Sequence, residues 1–160
     1  MENDIPPCDI KIDKEGIWYY KGKEIVRKEI VNFFYQNLKK DEAGRYIIEL
    51  KEDCCYLDVE DTPFVVKAVY RSVTSNSNEE CINLLLSDQS LVMLDPSTLI
   101  VGTDNVLYCS IKNNTFIARF SRASYYQITN FIEYDSIQDK YFILLNDKPF
   151  YIKYLVQQEK

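Results

Sequence analysis

Polar and hydrophobic residues alternate along much of the chain, a spacing that predicts β-strands with one covered and one exposed face. The alternation is clear at 10–13 and 55–60, and the apolar run at 64–73 predicts a longer strand inside a sheet. Asn113-Asn114 and Asn146-Asp147 are dipeptides typical of tight turns between two strands. Further strands are predicted at 17–20, 46–50, 81–86, 91–94, 98–101, 106–111, 115–120, 140–145 and 150–155.

Two segments instead have the spacing of amphipathic helices. We expect the first helix to start near Val26 and to include Leu38, with Gly44 as its stop signal. We expect the second to start near Ser124, which can form a capping box with Gln127. Few helices among many strands predict an α+β protein.

The same order of elements occurs twice along the chain. Residues 16–18 align with 114–116 and, at the same offset, 32–34 align with 130–132. The identity between the halves is weak, but the order strand, strand, helix, strand recurs. The sequence therefore predicts an α+β fold built from a duplicated strand-strand-helix-strand motif with antiparallel sheets. The two repeats would cover residues 1–75 and 76–160.

Composition excludes several kinds of chemistry. Hydrophobic residues make up 46% of the 160 positions and charged residues 28%, which is the balance of a folded protein rather than a disordered one. There is no histidine, so neither histidine catalysis nor histidine metal ligation is available. The net charge of -6 argues against a nucleic-acid binder, which needs a dense basic face. No Walker, GxGxxG or GxSxG motif is present.

The cysteines and the apolar runs indicate a compartment. The five cysteines form no CxxC pair, so there is no zinc-ribbon or thioredoxin-type motif. Cys55 and Cys109 lie in apolar strands, where we expect buried, reduced thiols, and an odd count argues against a secreted disulfide framework. The acidic N-terminus is unlike a signal peptide, and no apolar stretch is long enough to cross a membrane. We therefore expect a cytoplasmic protein.

Two arginines close to a predicted helix start form the candidate binding site. Arg119 lies within a predicted strand, and Arg122 follows just before the helix that carries Tyr125. A helix start offers free backbone N–H groups, so guanidinium groups beside it are suited to an anion or a phosphate. Arg27 occupies the corresponding region of the first repeat. Alternatively, Arg119 pairs with a carboxylate across the sheet and Arg122 is solvated.

An acidic stretch and an aromatic cluster complete the candidate residues. Asp58 and Glu60 share one strand face and could hold a hard cation, but they match no EF-hand spacing and a solvated face is the simpler explanation. Asp61 could be the counter-ion of an arginine. Trp18 could stack on a ligand, although aromatic residues in a hairpin packed on a helix more often belong to the core. No metal, no cofactor and no catalytic pair is expected.

Four motifs occur in the order found in one bacterial family. They are an aromatic hairpin at Gly16–Gly22 (GIWYYKG), a basic helix opening at Ile25–Lys28 (IVRK), a turn at Asp41–Tyr46 (DEAGRY) and a strand end at Val59–Phe64 (VEDTPF). With them the sequence resembles the bacterial domain of unknown function (DUF) 1285 family, closely over residues 8–70 and more loosely to about 155. Lys21 departs from the family pattern, in which an acidic residue is usual.

This resemblance has implications for fold and function. It implies a two-domain α+β chain built by duplication, whose second domain is superficially like a pleckstrin-homology fold. It also implies a ligand site at the interface between the domains, a nucleotide-like ligand and a role in bacterial signalling, with no enzymatic activity established.

Together these observations favour a non-enzymatic ligand-binding or sensor protein that holds an anionic, nucleotide-like molecule between its two repeats. The arginines would hold phosphates, the aromatic side chains would stack, and the carboxylates would orient an arginine or a ribose hydroxyl. The expected ligand contacts are Arg27, Arg119, Arg122, Tyr125, Trp18, Glu60 and Asp61. The alternative is a protein–protein interaction module without a small-molecule ligand. The expected partners are thus a nucleotide-like small molecule or a protein, with no nucleic acid and no membrane span.

Overall fold

The chain folds into two units of mixed α and β structure. A computed structural model describes residues 5–155, and one unit ends at Pro63 while the other begins at Phe64. These residues contain two α-helices and three mostly antiparallel sheets, so the predicted α+β class is confirmed. Neither of these helices is long and apolar enough to span a membrane.

The first unit has one helix between two groups of strands. Its elements are β1 (Pro7–Ile12), β2 (Trp18–Tyr20), β3 (Lys23–Glu24), α1 (Lys28–Gln36), β4 (Leu38–Lys40), β5 (Tyr46–Leu50) and β6 (Asp53–Val59). The six strands form one sheet in the order β3-β2-β1-β6-β5-β4. Neighbouring strands are antiparallel except β1 and β6, whose parallel pairing joins the group before the helix to the group after it.

The core of this unit is built around the single tryptophan of the chain. Trp18 is almost fully buried, and its ring stacks on Phe34 at a centroid distance of 5.9 Å and meets Tyr35 edge-on at 4.8 Å. The Tyr35 hydroxyl donates a hydrogen bond of 2.9 Å to the carbonyl of Pro63. The hairpin and the helix are therefore held together by aromatic packing, as the aromatic cluster predicts.

Cys55 is not the reduced thiol that its apolar surroundings predict. Cys8 on β1 and Cys55 on β6 form a disulfide, with their Cα atoms 5.0 Å apart. Because β1 and β6 are parallel neighbours, the fold brings together two cysteines that lie 47 positions apart in the sequence. Cys54, Cys81 and Cys109 are free thiols, and Cys109 is fully buried as expected.

Helix α1 is shorter than its apolar spacing predicts. It starts at Lys28, close to the expected start, but it ends at Gln36. Leu38, which we expected in its last turn, is instead buried in β4 and pairs with Ile48 on β5. The apolar spacing at Leu38 is compatible with a helix or a strand. The backbone hydrogen bonds to β5 stabilise the strand.

The second unit contains a large sheet, one helix and a small sheet. Its elements are β7 (Phe64–Val73), β8 (Glu80–Leu86), β9 (Leu91–Met93), β10 (Ile100–Val101), β11 (Leu107–Ile111), β12 (Phe116–Phe120), α2 (Arg122–Thr129), β13 (Ile132–Asp135), β14 (Lys140–Leu145), β15 (Lys148–Tyr151) and β16 (Lys153–Tyr154). The large sheet has the order β16-β10-β11-β12-β7-β8-β9, and β13-β14-β15 form a separate antiparallel sheet. Single helical turns at Pro96–Thr98 and Thr103–Asn105 flank β10.

Tight turns occur where the turn dipeptides predict them. Asn113 and Asn114, between β11 and β12, have φ values of 57° and 63°. Asn146 and Asp147, between β14 and β15, have φ values of 53° and 61°. Asparagine and aspartate tolerate this left-handed backbone better than most residues, so both hairpins follow from local sequence.

Helix α2 starts before the predicted capping box. Ser121, not Ser124, is its N-cap residue, and the Ser121 hydroxyl oxygen accepts a hydrogen bond from the backbone N–H of Ser124. Ser124 is fully buried and donates its hydroxyl to the carbonyl of Val66 on β7 at 2.8 Å. Gln127 Oε1 accepts from the backbone N–H of Val69 at 2.8 Å. The two side chains expected to cap the helix therefore fasten it to the large sheet.

The long strand β7 belongs to the second unit. The predicted first repeat, residues 1–75, includes 64–73, yet β7 pairs with β8 and with β12. The two units accordingly divide between Pro63 and Phe64.

Candidate functional site

The second unit contains a cavity of about 400 Å³. Residues from the large sheet, the helix and the small sheet all contribute to its wall. They are Val101, Asn105, Leu107, Tyr125, Thr129, Ile132, Tyr141, Ile152 and Tyr154. The volume is within the range of sites that bind small molecules.

Strand pairing explains why these residues share one space. Val101 on β10 lies directly opposite Leu107 on β11, and cross-strand partners project from the same face of a sheet. Ile152 lies between β15 and β16, and Tyr154 belongs to β16. The other wall residues are Tyr125 and Thr129 on α2, Asn105 at the end of the turn Thr103–Asn105, and Ile132 and Tyr141 on the paired strands β13 and β14.

Three tyrosine rings dominate the wall. Tyr125 on α2, Tyr141 on β14 and Tyr154 on β16 are 36%, 45% and 52% exposed, so each retains a large accessible surface. Loss of solvent, the neighbouring Tyr141 and Tyr125 hydroxyls, and the Asp139 carboxylate all raise the pKa of Tyr154 above its ordinary value. The phenol of Tyr154 keeps its proton at neutral pH, as an ordinary tyrosine also does.

A close approach of Gly102 to Tyr108 lies next to the wall residue Val101. Gly102 follows Val101, and a Cβ atom at Gly102 would lie 2.8 Å from Cε2 of Tyr108 and 3.5 Å from Cδ1 of Leu155. Because real Cβ atoms do not approach other atoms so closely, a side chain at this position would force the Tyr108 ring to move. The glycine is thus required by packing and not by its backbone angle.

The wall is uncharged and has few polar groups. None of the nine wall residues carries a charge at neutral pH, and the Thr129 hydroxyl already donates to the carbonyl of Tyr126 at 2.7 Å. Aliphatic side chains, aromatic faces, phenol hydroxyls and the Asn105 amide remain to contact a ligand. Among residues 5–155, no group of three or more metal-ligating side chains is found.

A second, more open hollow of about 380 Å³ lies on the first unit, lined by Asp9, Lys11, Asp13, Tyr19 and Gly22. Its central carboxylate is already used: Asp13 accepts hydrogen bonds from the backbone N–H groups of Glu15 and Ile17 and from the Tyr19 hydroxyl. The bond to Asp13 raises the pKa of Tyr19. These contacts fix the turn between β1 and β2, which is a structural task.

Of the sequence-predicted residues in the second unit, the structure brings only Tyr125 to the cavity wall. Arg122 is exposed at the start of α2, one helical turn before Tyr125 and on the same side of the helix. Arg119 is half-buried and lies opposite Tyr108 across β11 and β12. Because adjacent strand residues project from opposite faces, Arg119 leaves the sheet on the face opposite Leu107 and the cavity.

The other predicted residues lie in the first unit. Arg27 is exposed at the N-cap of α1 and its side chain makes no capping hydrogen bond. Trp18 is a core residue. Glu60 accepts a hydrogen bond of 2.9 Å from the backbone N–H of Lys14. Burial and, secondly, the charge of Asp61 raise the pKa of Tyr46.

Most of the cavity wall is not among the residues predicted from the sequence. Tyr141, Tyr154 and Thr129 lie on a strand, a terminal strand and a helix that are separated in sequence. Their spacing is that of ordinary amphipathic elements, so no local signal marks them. The high tyrosine content, 13 in 160 residues, is the one sequence feature that could have drawn attention to them.

Comparison with known proteins identifies a family that part of the chain resembles. Residues 3–62 match the family model described as "Domain of unknown function (DUF1285), N-terminal domain". The match covers 60 of the 160 residues, so it shows a similarity of this part of the chain to that domain. The resemblance predicted from the motifs is therefore confirmed. No curated protein matches the sequence.

Two crystal structures of DUF1285 family proteins have a similar fold. One, from Silicibacter pomeroyi DSS-3, is 17% identical, with a TM-score of 0.74 over 92% of this chain and 80% of that chain. The other, from Shewanella baltica OS155, is 21% identical, with a TM-score of 0.63 over 78% of this chain and 91% of that chain. At these identities the likeness establishes the DUF1285 fold and no function.

Proposed function

We propose that this protein is a non-enzymatic ligand-binding module whose small-molecule ligand occupies the cavity of the second unit. The cavity carries the proposal: it is concave, large enough for a small molecule, and lined by apolar surface with a few polar groups. Binding rather than catalysis is supported because the chain has no histidine and the wall offers no paired acid and base.

The family resemblance adds an anionic, nucleotide-like ligand and a role as a sensor in bacterial signal transduction, and both stay predictions. Arg122, one turn before Tyr125, supports an anionic ligand. Against it, no wall residue is cationic, so a phosphate would have to remain outside the cavity. A cytoplasmic location also stays a prediction, which the Cys8–Cys55 disulfide weakens because disulfides are rare in a reducing compartment.

Duplication of one motif remains a proposal that strand register supports. In each unit the helix is followed by a three-stranded meander, and the isoleucine of its central strand, Ile48 or Ile143, pairs with a residue on both sides. The partners are Leu38 and Cys55 in the first unit and Ile132 and Phe150 in the second. The alignment of 32–34 with 130–132 is not supported, because residue 32 is inside α1 whereas residue 130 follows α2. The likeness of the second unit to a pleckstrin-homology fold stays a prediction.

A thermal-shift screen with a matched pair of variants tests the ligand-binding proposal. Mononucleotides, dinucleotides, sugars, amines and amino acids are added to the wild type, to Thr129→Tyr, which fills the cavity, and to Ala123→Tyr, which adds the same ring on an exposed helix position. A ligand present at a hundred times its dissociation constant adds about 2.7 kcal/mol of stability. We expect a hit that stabilises the wild type and Ala123→Tyr but not Thr129→Tyr. A hit that stabilises all three proteins equally, or the absence of any hit, contradicts the proposal.

The second candidate function is a protein-interaction module, and the edge strand β9 favours it. Leu91 and Met93 on β9 are 60% and 64% exposed, and β9 ends the large sheet, so no strand within residues 5–155 pairs with its outer edge. An extended peptide could add to this edge as a further strand. A peptide selected by display that loses binding to the double variant Leu91→Lys/Met93→Lys would support this function. Peptides that bind the variant as well as the wild type would contradict it.

A further inference from the structure

The proposed function does not say which chemical class of ligand binds. The residues of the cavity wall favour one class over the others. Each of the three tyrosines comes from a different element: Tyr125 from α2, Tyr141 from β14 and Tyr154 from β16. Rings from three elements can face a ligand from several directions, which neighbouring residues on one element cannot do. The face of an aromatic ring carries negative electrostatic potential, so several rings around one space favour a positive charge there.

The charged groups around the cavity also favour a cationic ligand. No lysine or arginine contributes to the wall. Lys140 and Lys153 are the strand neighbours of Tyr141 and Tyr154, and adjacent strand residues project from opposite faces, so their ammonium groups leave from the other side. The Asp139 carboxylate acts electrostatically on Tyr154.

Loss of solvent, which is the largest cause, and then the neighbouring phenols and the Asp139 carboxylate raise the pKa of Tyr154. Loss of solvent opposes a charge of either sign, and the phenols are neutral near pH 7, so among these causes only Asp139 distinguishes a cation from an anion. Its negative charge favours an ammonium group over an anionic ligand.

We infer that the cavity binds a small organic ammonium ion, whose positive head lies among the rings of Tyr125, Tyr141 and Tyr154. This inference rests on the proposed function, since it names the ligand class of the same cavity. The aliphatic wall residues would contact the alkyl part of the ligand.

Calorimetric titration with choline and with its uncharged carbon isostere tests the inference. The two probes have the same shape and differ in charge, so their affinity ratio isolates the electrostatic contribution. We expect choline to bind about tenfold or more tightly than the isostere, because desolvated cation–π contacts with several rings add up to that order. Adenosine monophosphate serves as the anionic probe and should bind more weakly than choline.

Variants of the cavity tyrosines test whether their aromatic rings bind the cation. Tyr141→Leu should weaken choline binding about tenfold, whereas Tyr141→Phe, which keeps the ring, should bind nearly as the wild type does. Tyr70→Leu, which removes an exposed tyrosine elsewhere in the same unit, is the matched control and should change nothing. Tyr154→Leu, near the exposed end of β16, replaces Tyr141→Leu if the latter fails to fold. Arg122→Gln should leave choline affinity unchanged or raise it.

Four outcomes overturn the inference. If the isostere binds as tightly as choline, the cavity binds ligands without selecting a cation, and the proposed function survives alone. If adenosine monophosphate binds more tightly and Arg122→Gln abolishes its binding, the ligand is anionic and the proposed function again survives. If Tyr141→Leu and Tyr154→Leu bind choline as the wild type does, the rings are not its site. If none of the probes binds at millimolar concentration, the ammonium class is wrong. The proposed function is then tested separately by the thermal-shift screen with Thr129→Tyr.

Discussion

In both units a three-stranded meander follows the single helix, but the meander pairs with other strands in only one of them. In the first unit, the last strand of the meander, β6, pairs with β1, so that all strands form one sheet. In the second unit, β13-β14-β15 remain a separate sheet. The space that separates the small sheet, the helix and the large sheet is where the cavity lies.

One helix position illustrates this difference. The eighth residue of α1 is Tyr35, which is buried against Trp18. The eighth residue of α2 is Thr129, whose short side chain forms part of the cavity wall. A similar succession of elements therefore yields a filled core in one unit and an open site in the other, depending on sheet closure and on the size of single side chains. An unfilled cavity costs stability, which is typical of a region kept for binding.

The largest expected effect concerns the closure of the first sheet. Cys8→Ser removes the disulfide that links β1 to β6, and the chain-entropy model assigns about 4 kcal/mol to a closed loop of 47 residues. The free energy of unfolding of the first unit should fall by that order in the absence of reductant. Urea unfolding followed by the fluorescence of Trp18, the only tryptophan, measures this unit. The control Cys54→Ser removes a free thiol and should have little effect; equal stability of all three proteins would contradict the prediction.

The second prediction concerns Tyr35, the helix residue of the first unit that corresponds to Thr129 in the cavity wall of the second. Tyr35→Thr removes a buried ring that packs on Trp18 and donates to the carbonyl of Pro63. Loss of a buried aromatic side chain costs about 3 kcal/mol, since transfer and cavity terms add. Trp18 fluorescence during urea unfolding again measures the change. The control is Phe33→Thr on the exposed face of the same helix. If it lowers the free energy of unfolding as much as Tyr35→Thr does, the loss does not come from buried packing.

The third prediction concerns the wall of the cavity. Gly102→Ala places a Cβ atom against Tyr108, and overpacking of this kind costs about 2 kcal/mol. Urea unfolding followed by circular dichroism should show a less stable second unit, while the Trp18 signal of the first unit remains unchanged. Stability equal to that of the wild type would mean that the Tyr108 ring moves without cost.

The smallest expected effect at moderate pH comes from a buried thiol of the second unit. Burial raises the pKa of Cys109 from 9.0 to about 12. Between these values the unfolded chain releases the proton and the folded chain keeps it, so stability is complete below pH 9 and falls as pH rises. The slope is about 1.4 kcal/mol per pH unit for one proton. Urea unfolding at several pH values should show a shallower decline for Cys109→Ala than for the wild type; identical slopes would assign the decline to other groups.

Local sequence determined the elements whose signals lie within a few residues. Asparagine and aspartate at the turns of β11–β12 and β14–β15 adopt positive φ without help from distant residues. Alternation predicted most of the strands, and the low number of helices predicted the α+β class. The family resemblance likewise depended on short motifs, which survive at low overall identity.

Only the tertiary structure decided which of these elements meet. Leu38 became a strand residue because β5 supplies hydrogen-bond partners, and Cys55 became a disulfide because the parallel pairing of β1 and β6 brings Cys8 beside it. Arg119 and Tyr125 were separated because the pleat turns Arg119 away from the cavity face. Hydrophobic periodicity records which face of an element is covered but not what covers it. A cavity between three elements is therefore decided by long-range packing alone.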